Sequence, residues 1–201
     1  EGLVETLGKN GVTSNYRYDL APYTWQLVSQ MKRGKAIFTQ PPMPIKCAGA
    51  PQKAMYLSAD YWQKQDVLKD IQVDFFNTGA VLFGVEAYVP ALMEYVKRYN
   101  ANLHFNHQLV KVDGANKRAW FKVNQGESTS LLETDFDMIH VVPPQQAPDF
   151  IRASNLVDAA GWVSVDQNTL QHSKYPYIFA LGDVMNAPNA KTAAAARKQA
   201  P

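Results

Sequence analysis

Residues 35–76, "KAIFTQPPMPIKCAGAPQKAMYLSADYWQKQDVLKDIQVDFF", decide the fold. "KAIFTQ" (35–40) is short, apolar and rich in residues that favour a pleated backbone, and it lies between Gly34 and Pro41, so it reads as a strand. From Gln52 to about Gln65, Met55, Leu57, Ala59 and Trp62 recur among polar residues. Pro51 stands where a first helical turn tolerates proline, and together these predict a helix. "IQVDFF" (71–76) is a second strand. Strand, helix, strand is the opening of a parallel sheet with helices on its faces.

Downstream, Val85, Tyr88, Val89, Leu92, Val96 and Tyr99 fall at intervals of three and four and predict a helix over 85–99. "NLHFNHQLVKVDG" (102–114) reads as one strand running into a turn; "RAWFKV", "SLLETDF" and "MIHVV" supply further strands, the last closed by Pro143 and Pro144. The fold class is therefore α/β: a Rossmann-like parallel sheet with a β-meander inserted before its last strand, filling residues 35–142. Residues 1–34 and 143–201 read as flanks that belong to a second domain, and "YPYIFALGDV" (175–184) within the latter reads as a strand ending in Gly-Asp.

Composition narrows the function. With 46% hydrophobic residues the chain of 201 can bury a core, and its 20 basic and 18 acidic residues are scattered, which leaves no charge block for nucleic acid. No apolar run reaches the roughly 18 to 20 residues of a membrane span, so a membrane would be met only peripherally. One cysteine excludes an internal disulfide framework and a cysteine-based metal site; His104 and His107, three apart in the expected strand, face opposite ways, and no metal is expected. The chain opens on Glu1 and stops just after "KTAAAARKQA", a helix barely begun, which leads us to expect a piece of a longer protein.

A Rossmann unit invites a nicotinamide nucleotide, and two positions test it. The first strand–helix turn should offer glycines so that backbone N–H groups can close on a pyrophosphate, but "PPMPIKCAGAP" holds four prolines and one glycine. The second strand should end near an acidic residue for the ribose, but "IQVDFF" runs into Asn77 and Thr78. Gly79, Val81 and Gly84 mimic the glycine spacing after the wrong strand, with valine where only glycine admits a phosphate. NAD(P) is not expected.

In the vacated turn stands Cys47. A lone cysteine is commonly a small buried hydrophobe; here, a helix start and Lys46 beside it favour a thiolate, so filler and nucleophile both remain open. Asp183, after Gly182, either caps the next helix or accepts hydrogen bonds from a hydroxyl-rich ligand such as a ribityl chain. Asn189 or Lys191 stands near the start of the helix in "NAKTAAAARKQA", a place suited to an electron-rich carbonyl.

Together these residues resemble the flavin-dependent oxidoreductases with two dinucleotide-binding domains, and within them the sulfide:quinone oxidoreductases, the group that includes the mitochondrial enzyme. "SNY", "AIFT", "KCAGAPQK", "MYLS", "FGVEAY", "VDAAGW", "LQH", "YPYIFALGD" and "KTAAA" fall in family order across nearly the whole chain. "KCAGAPQK" is the most specific of them, whereas "FALGD" marks only the wider superfamily. The resemblance implies that Cys47 is one of two redox-active cysteines whose disulfide or trisulfide sulfide attacks. It implies that Asp183, after Gly182, holds the FAD ribityl chain, and that Lys191 and Thr192 begin the helix facing the pyrimidine end of the flavin. Sulfide would be oxidised through a persulfide and FAD, electrons passing to a membrane quinone and sulfur to a small acceptor. The enzyme would sit peripherally on the mitochondrial inner or a bacterial cytoplasmic membrane. The family's glycine-rich FAD fingerprint would lie upstream of Glu1, and its second cysteine and membrane-docking helices beyond Pro201. The chain by itself is then expected to be inactive and to bind FAD weakly or not at all. Two alternatives remain: a type II NADH dehydrogenase-like or other disulfide flavoprotein, and a non-catalytic, degenerate Rossmann module.

Overall fold

A computed structural model describes residues 1–200. They form two compact units, one of residues 1–42 and 50–143, the other of residues 43–49 and 144–200. The first unit contains α1 (Leu3–Thr6), β1 (Val12–Thr13), α2 (Ala21–Gln30), β2 (Gly34–Gln40), α3 (Ala50–Lys64), β3 (Ile71–Asn77), α4 (Val89–Arg98), β4 (Asn102–Phe105), β5 (His107–Asp113), β6 (Arg118–Gln125), β7 (Ser128–Asp135) and β8 (Met138–His140). Five strands pair in parallel in the order β1-β8-β2-β3-β4, and β5-β6-β7 form a separate antiparallel sheet. This is the Rossmann-like sheet with an inserted meander.

Strand β2 is central because Ala36, Ile37, Phe38 and Thr39 are all buried: both faces are covered, as a parallel strand between helices requires. Helix α3 turns Met55, Ala59 and Trp62, spaced four and three apart, into that core, while Leu57 is left exposed. Trp62 is fully buried and its indole N–H donates to the carbonyl of Val28 on α2 at 2.8 Å, so the ring's one polar atom is satisfied inside the core.

Helix α4 is shorter than the apolar spacing predicts. Pro90 occupies the first turn, where a missing N–H costs nothing, and Glu86–Tyr88 form a separate 3-10 turn, so Val85 and Tyr88 are exposed while Val96 and Tyr99 are buried. The single strand expected over 102–114 is two. Asn106 takes the left-handed conformation (φ 60°), which asparagine tolerates, and the chain passes there from the parallel sheet to the antiparallel one. His104 and His107 therefore do not face opposite ways: both rings meet Phe76, with centroids 4.2 and 5.6 Å away, and lie 5.8 Å from each other. Phe76 in turn stacks on Phe121 of β6 at 3.9 Å, in an apolar cluster with members from both sheets. Beside it, burial alone would raise the carboxyl of Asp74. Hydrogen bonds from His104 (2.9 Å), Asn102 (3.0 Å) and Gln72 (2.7 Å) outweigh that and hold it below the usual carboxylate range.

Residues 1–34 are not a flank apart from the Rossmann unit. Val12 and Thr13 extend its sheet by pairing with Ile139 and His140, and α2 packs on α3. At that pairing, His140 is fully buried; its Nε2 accepts from the N–H of Asn15 at 2.9 Å, and its Nδ1 has no partner. Burial pushes the imidazole down from 6.5 to about 4. Above pH 6.5 the ring is neutral in both folded and unfolded chains. Between about 6.5 and about 4 only the unfolded chain takes up the proton, so this site should remove on the order of 3 kcal/mol of stability over that window and none above it. Urea midpoints between pH 7.5 and 4 should show this slope in the wild type, and it should flatten in His140→Gln; equal slopes would mean that His140 carries no such linkage.

In the second unit the regular elements are α5 (Asp149–Arg152), α6 (Ala193–Gln199) and a 3-10 turn at Gly182–Val184, around a small apolar cluster of Val163, Met185 and Ala187. Residues 175–184 do not form the expected strand. Their backbone bonds are few and scattered, His172 N–H to Ile178 carbonyl at 2.8 Å, Ala180 N–H to Leu170 carbonyl at 3.1 Å and Val163 N–H to Val184 carbonyl at 2.8 Å, with isolated bridges at Gln171–Phe179 and Val163–Met185 and no continuous ladder. An apolar, β-rich run becomes a strand only where a neighbouring backbone supplies a ladder, and without one Tyr177 and Phe179 are left exposed. Among the described residues no helix is long and apolar enough to cross a membrane.

Candidate functional site

The five residues singled out in the sequence, Cys47, Gly182, Asp183, Lys191 and Thr192, all fall in the second unit. Its first seven residues, 43–49, are the later part of the loop between β2 and α3, opened by a cis Met43–Pro44 bond and anchored by the buried Ile45. Cys47 is half-buried and adopts φ 53°, a left-handed conformation that costs a non-glycine residue about 1 kcal/mol or more and persists only where surroundings enforce it. Two backbone bonds do so: the N–H of Cys47 donates to the carbonyl of Lys191 at 3.0 Å, and that of Ala48 to the carbonyl of Ala190 at 3.3 Å.

Lys191 is also left-handed, with φ 43°, and its side chain is buried. The ammonium does not reach outward. It donates to the carbonyl of Met185 at 2.6 Å, reaches that of Ala187 at 3.5 Å, and lies 5.1 Å from the centre of the Trp162 ring. Burial holds its pKa below the ordinary lysine value, with Asp183 opposing the shift and Lys46 adding to it. Thr192 is the N-cap of α6: its hydroxyl accepts from the N–H of Ala195 at 3.0 Å, so that oxygen serves the helix.

Gly182 is held at φ 69°, a conformation that disfavours any side chain, and packs near Ala196 of α6. Asp183, next in the chain, is exposed. The capping role left open for Asp183 goes instead to Thr192.

Sequence reasoning missed the role of Asp158, inside "VDAAGW". Its Oδ1 accepts from the N–H groups of Ala160 (2.9 Å) and Trp162 (3.1 Å), and its Oδ2 from the Asn186 amide (3.0 Å). Burial by itself would raise this carboxyl; the donors, Trp162 foremost, carry it below the usual range. An Asp two residues ahead of Ala-Gly is a turn signal that could have found it. Trp162 and Lys191, with Met43, Pro44, Pro188 and Asn189, line a cleft of about 570 Å³. Among the described residues no cluster of three or more His, Cys, Asp or Glu is placed to hold a metal ion. At the end of β3, Asn77 accepts from the N–H of Gly79 (2.9 Å) and donates to the carbonyl of Val81 (2.8 Å), folding the glycine-spaced loop onto itself.

No protein-family model matches the chain. Among curated proteins it is similar to "Sulfide:quinone oxidoreductase, mitochondrial" of Dictyostelium discoideum, 45% identical over 203 residues, and to the protein of the same name from Mus musculus, 39% identical over 201. These alignments cover 100% and 99% of this chain and 44% of each relative, so the chain spans somewhat under half the length of the curated relatives it matches. Among solved structures it resembles the sulfide:quinone oxidoreductase of the hyperthermophilic bacterium Aquifex aeolicus, with a TM-score of 0.74 over 92% of this chain and 43% of that one. At 17% identity that is a likeness of fold. From its first residue to its last, the chain is homologous to a stretch of mitochondrial sulfide:quinone oxidoreductase amounting to 44% of the length of those relatives.

Proposed function

We propose that the protein oxidises hydrogen sulfide by way of Cys47 and FAD, with a membrane quinone as electron acceptor. The observation that carries this reading is the chain-long identity of 39–45% to proteins named for that reaction. Sulfide gives up two electrons and its protons, its sulfur passes to a cysteine sulfur and then to a small nucleophilic acceptor, and the quinone takes up two electrons and two protons. FAD, when bound, supplies the two-electron relay between thiol and quinone. Cys47 provides one of the two sulfurs of the cysteine pair, and its left-handed backbone, pinned to residues 190 and 191, sets where that sulfur stands.

The residues present fit one part of a flavin. An exposed carboxylate beside a glycine at φ 69° suits the hydroxyls of a ribityl chain, and we assign Gly182 and Asp183 to it, with Lys191 and Thr192 at the start of the helix facing the ring's pyrimidine end. The place of action is the surface of a quinone-bearing membrane, in line with the word "mitochondrial" in the names of both relatives.

The test is made on the protein at the full length of its curated relatives, with sulfide or NADH as donor and a soluble quinone as acceptor. Quinone reduction that starts on adding sulfide is the expected result. Reduction driven by NADH and indifferent to sulfide would replace this reading with an NADH dehydrogenase, and reduction by neither would leave a non-catalytic Rossmann module.

A further inference from the structure

A lysine ammonium can donate three hydrogen bonds and accept none, and burying it is costly unless carbonyls and rings replace its water. Lys191 is 5% exposed, and its replacements for water are two carbonyls of its own loop, Met185 at 2.6 Å and Ala187 at 3.5 Å, and the face of Trp162. The same loop also closes on itself, since Asn189 N–H donates to the Ala187 carbonyl at 2.9 Å and Lys191 N–H to the side-chain Oδ1 of Asn189 at 2.9 Å. With its inward side occupied by the cation, the loop presents the carbonyls of Ala190 and Lys191 to the N–H groups of Ala48 and Cys47.

We propose that Lys191 is a positioning residue for Cys47: its buried ammonium holds loop 185–191 in the shape that offers two carbonyls to the cysteine's backbone, and so fixes the thiol's place. The importance of this for chemistry rests on the proposed reading of Cys47 as the sulfur-accepting thiol; the clamp itself does not. Both ends of the bridge are left-handed at non-glycine residues, which two isolated loops would not adopt together without something to enforce it. The side chain of residue 191 is then spent inside its loop, the backbone N–H on Asn189 and the backbone carbonyl on Cys47.

Amide hydrogen exchange on the chain, in which Cys47 is the sole thiol, tests the clamp in Lys191→Met and Lys191→Arg. In Lys191→Met the amides of Cys47 and Ala48 should exchange about tenfold faster or more, with those of β2 and β3 unchanged, and Lys191→Arg should restore most of the protection. Unchanged protection at 47 and 48, or an equal loss throughout the chain, overturns the proposal. If Lys191→Met does not fold, Trp162→Leu, which removes only the ring beneath the ammonium, carries the same test with a smaller loss at the same two amides. The two readings fail separately. Sulfide oxidation that survives Cys47→Ser sinks the chemistry and leaves the exchange result standing, while unaltered exchange in Lys191→Met sinks the clamp and leaves the chemistry.

Discussion

Cys47→Ser is expected to lower sulfide-dependent quinone reduction by at least about a thousandfold in the protein at the length of its relatives, without changing its thermal midpoint by more than a degree or two. The size follows from the proposed role. A serine oxygen cannot form the sulfur–sulfur bond through which sulfide sulfur is carried, and loss of a covalent nucleophile costs on the order of 10³-fold or more. Stability should hold because the side chain is half-buried and the replacement differs by one atom, while the bonds that shape the turn come from the backbone N–H groups of residues 47 and 48. Initial rates of quinone reduction, with midpoints of both proteins measured in parallel, decide the matter. A variant retaining a tenth of the activity or more would remove Cys47 from the reaction.

The largest effect on stability is expected at Trp62→Ala, about 4 kcal/mol, against a total of roughly 5–15 kcal/mol for a domain. Trp62 has no solvent exposure, lies 6.4 Å from Phe38 between ring centres, and sits where α3 and α2 meet over the sheet. Truncation empties the space of an indole in a core too well packed to collapse, and strands the Val28 carbonyl that the ring now satisfies. Trp62→Phe keeps most of the volume and loses the hydrogen bond, so its cost should be nearer 1–2 kcal/mol. Urea titrations followed by far-UV circular dichroism measure both. An alanine variant as stable as the phenylalanine one would show that the packing argument fails here.

The parallel sheet was legible in the sequence because its central strands are buried on both faces and therefore spell nearly continuous apolar runs, as "AIFT" does and as "VDFF" does apart from Asp74. Helix α3 was legible for the related reason that Met55, Ala59 and Trp62 keep helical spacing. What escaped was decided by neighbours distant in the chain. The pattern in "YPYIFALGDV" records an intrinsic preference for extension, yet no ladder reaches it. The break at Asn106 was written in one residue able to go left-handed inside an otherwise unbroken strand pattern. At the site, Cys47 was conspicuous as the sole thiol. Its hold by residues 190 and 191 could not be read, because that hold is made by backbone groups whose chemistry is the same at every position. Lys191 stood out by its place near a helix start and through the family resemblance; that its charge turns inward depends on three carbonyl and ring partners that no local pattern announces.

The second unit is discontinuous, since residues 43–49 are delivered to it from the middle of the first, and the bond that seats Cys47 joins it to a carbonyl roughly 140 residues later in the chain. A contact of such sequence separation closes late in folding: a nascent chain can pair β2 with β3 long before Lys191 has been synthesised. The thiol is thus delivered early and seated late. A chain cut short before residue 190 would still contain every residue of the Rossmann sheet while presenting its one cysteine without the register that the intact chain imposes.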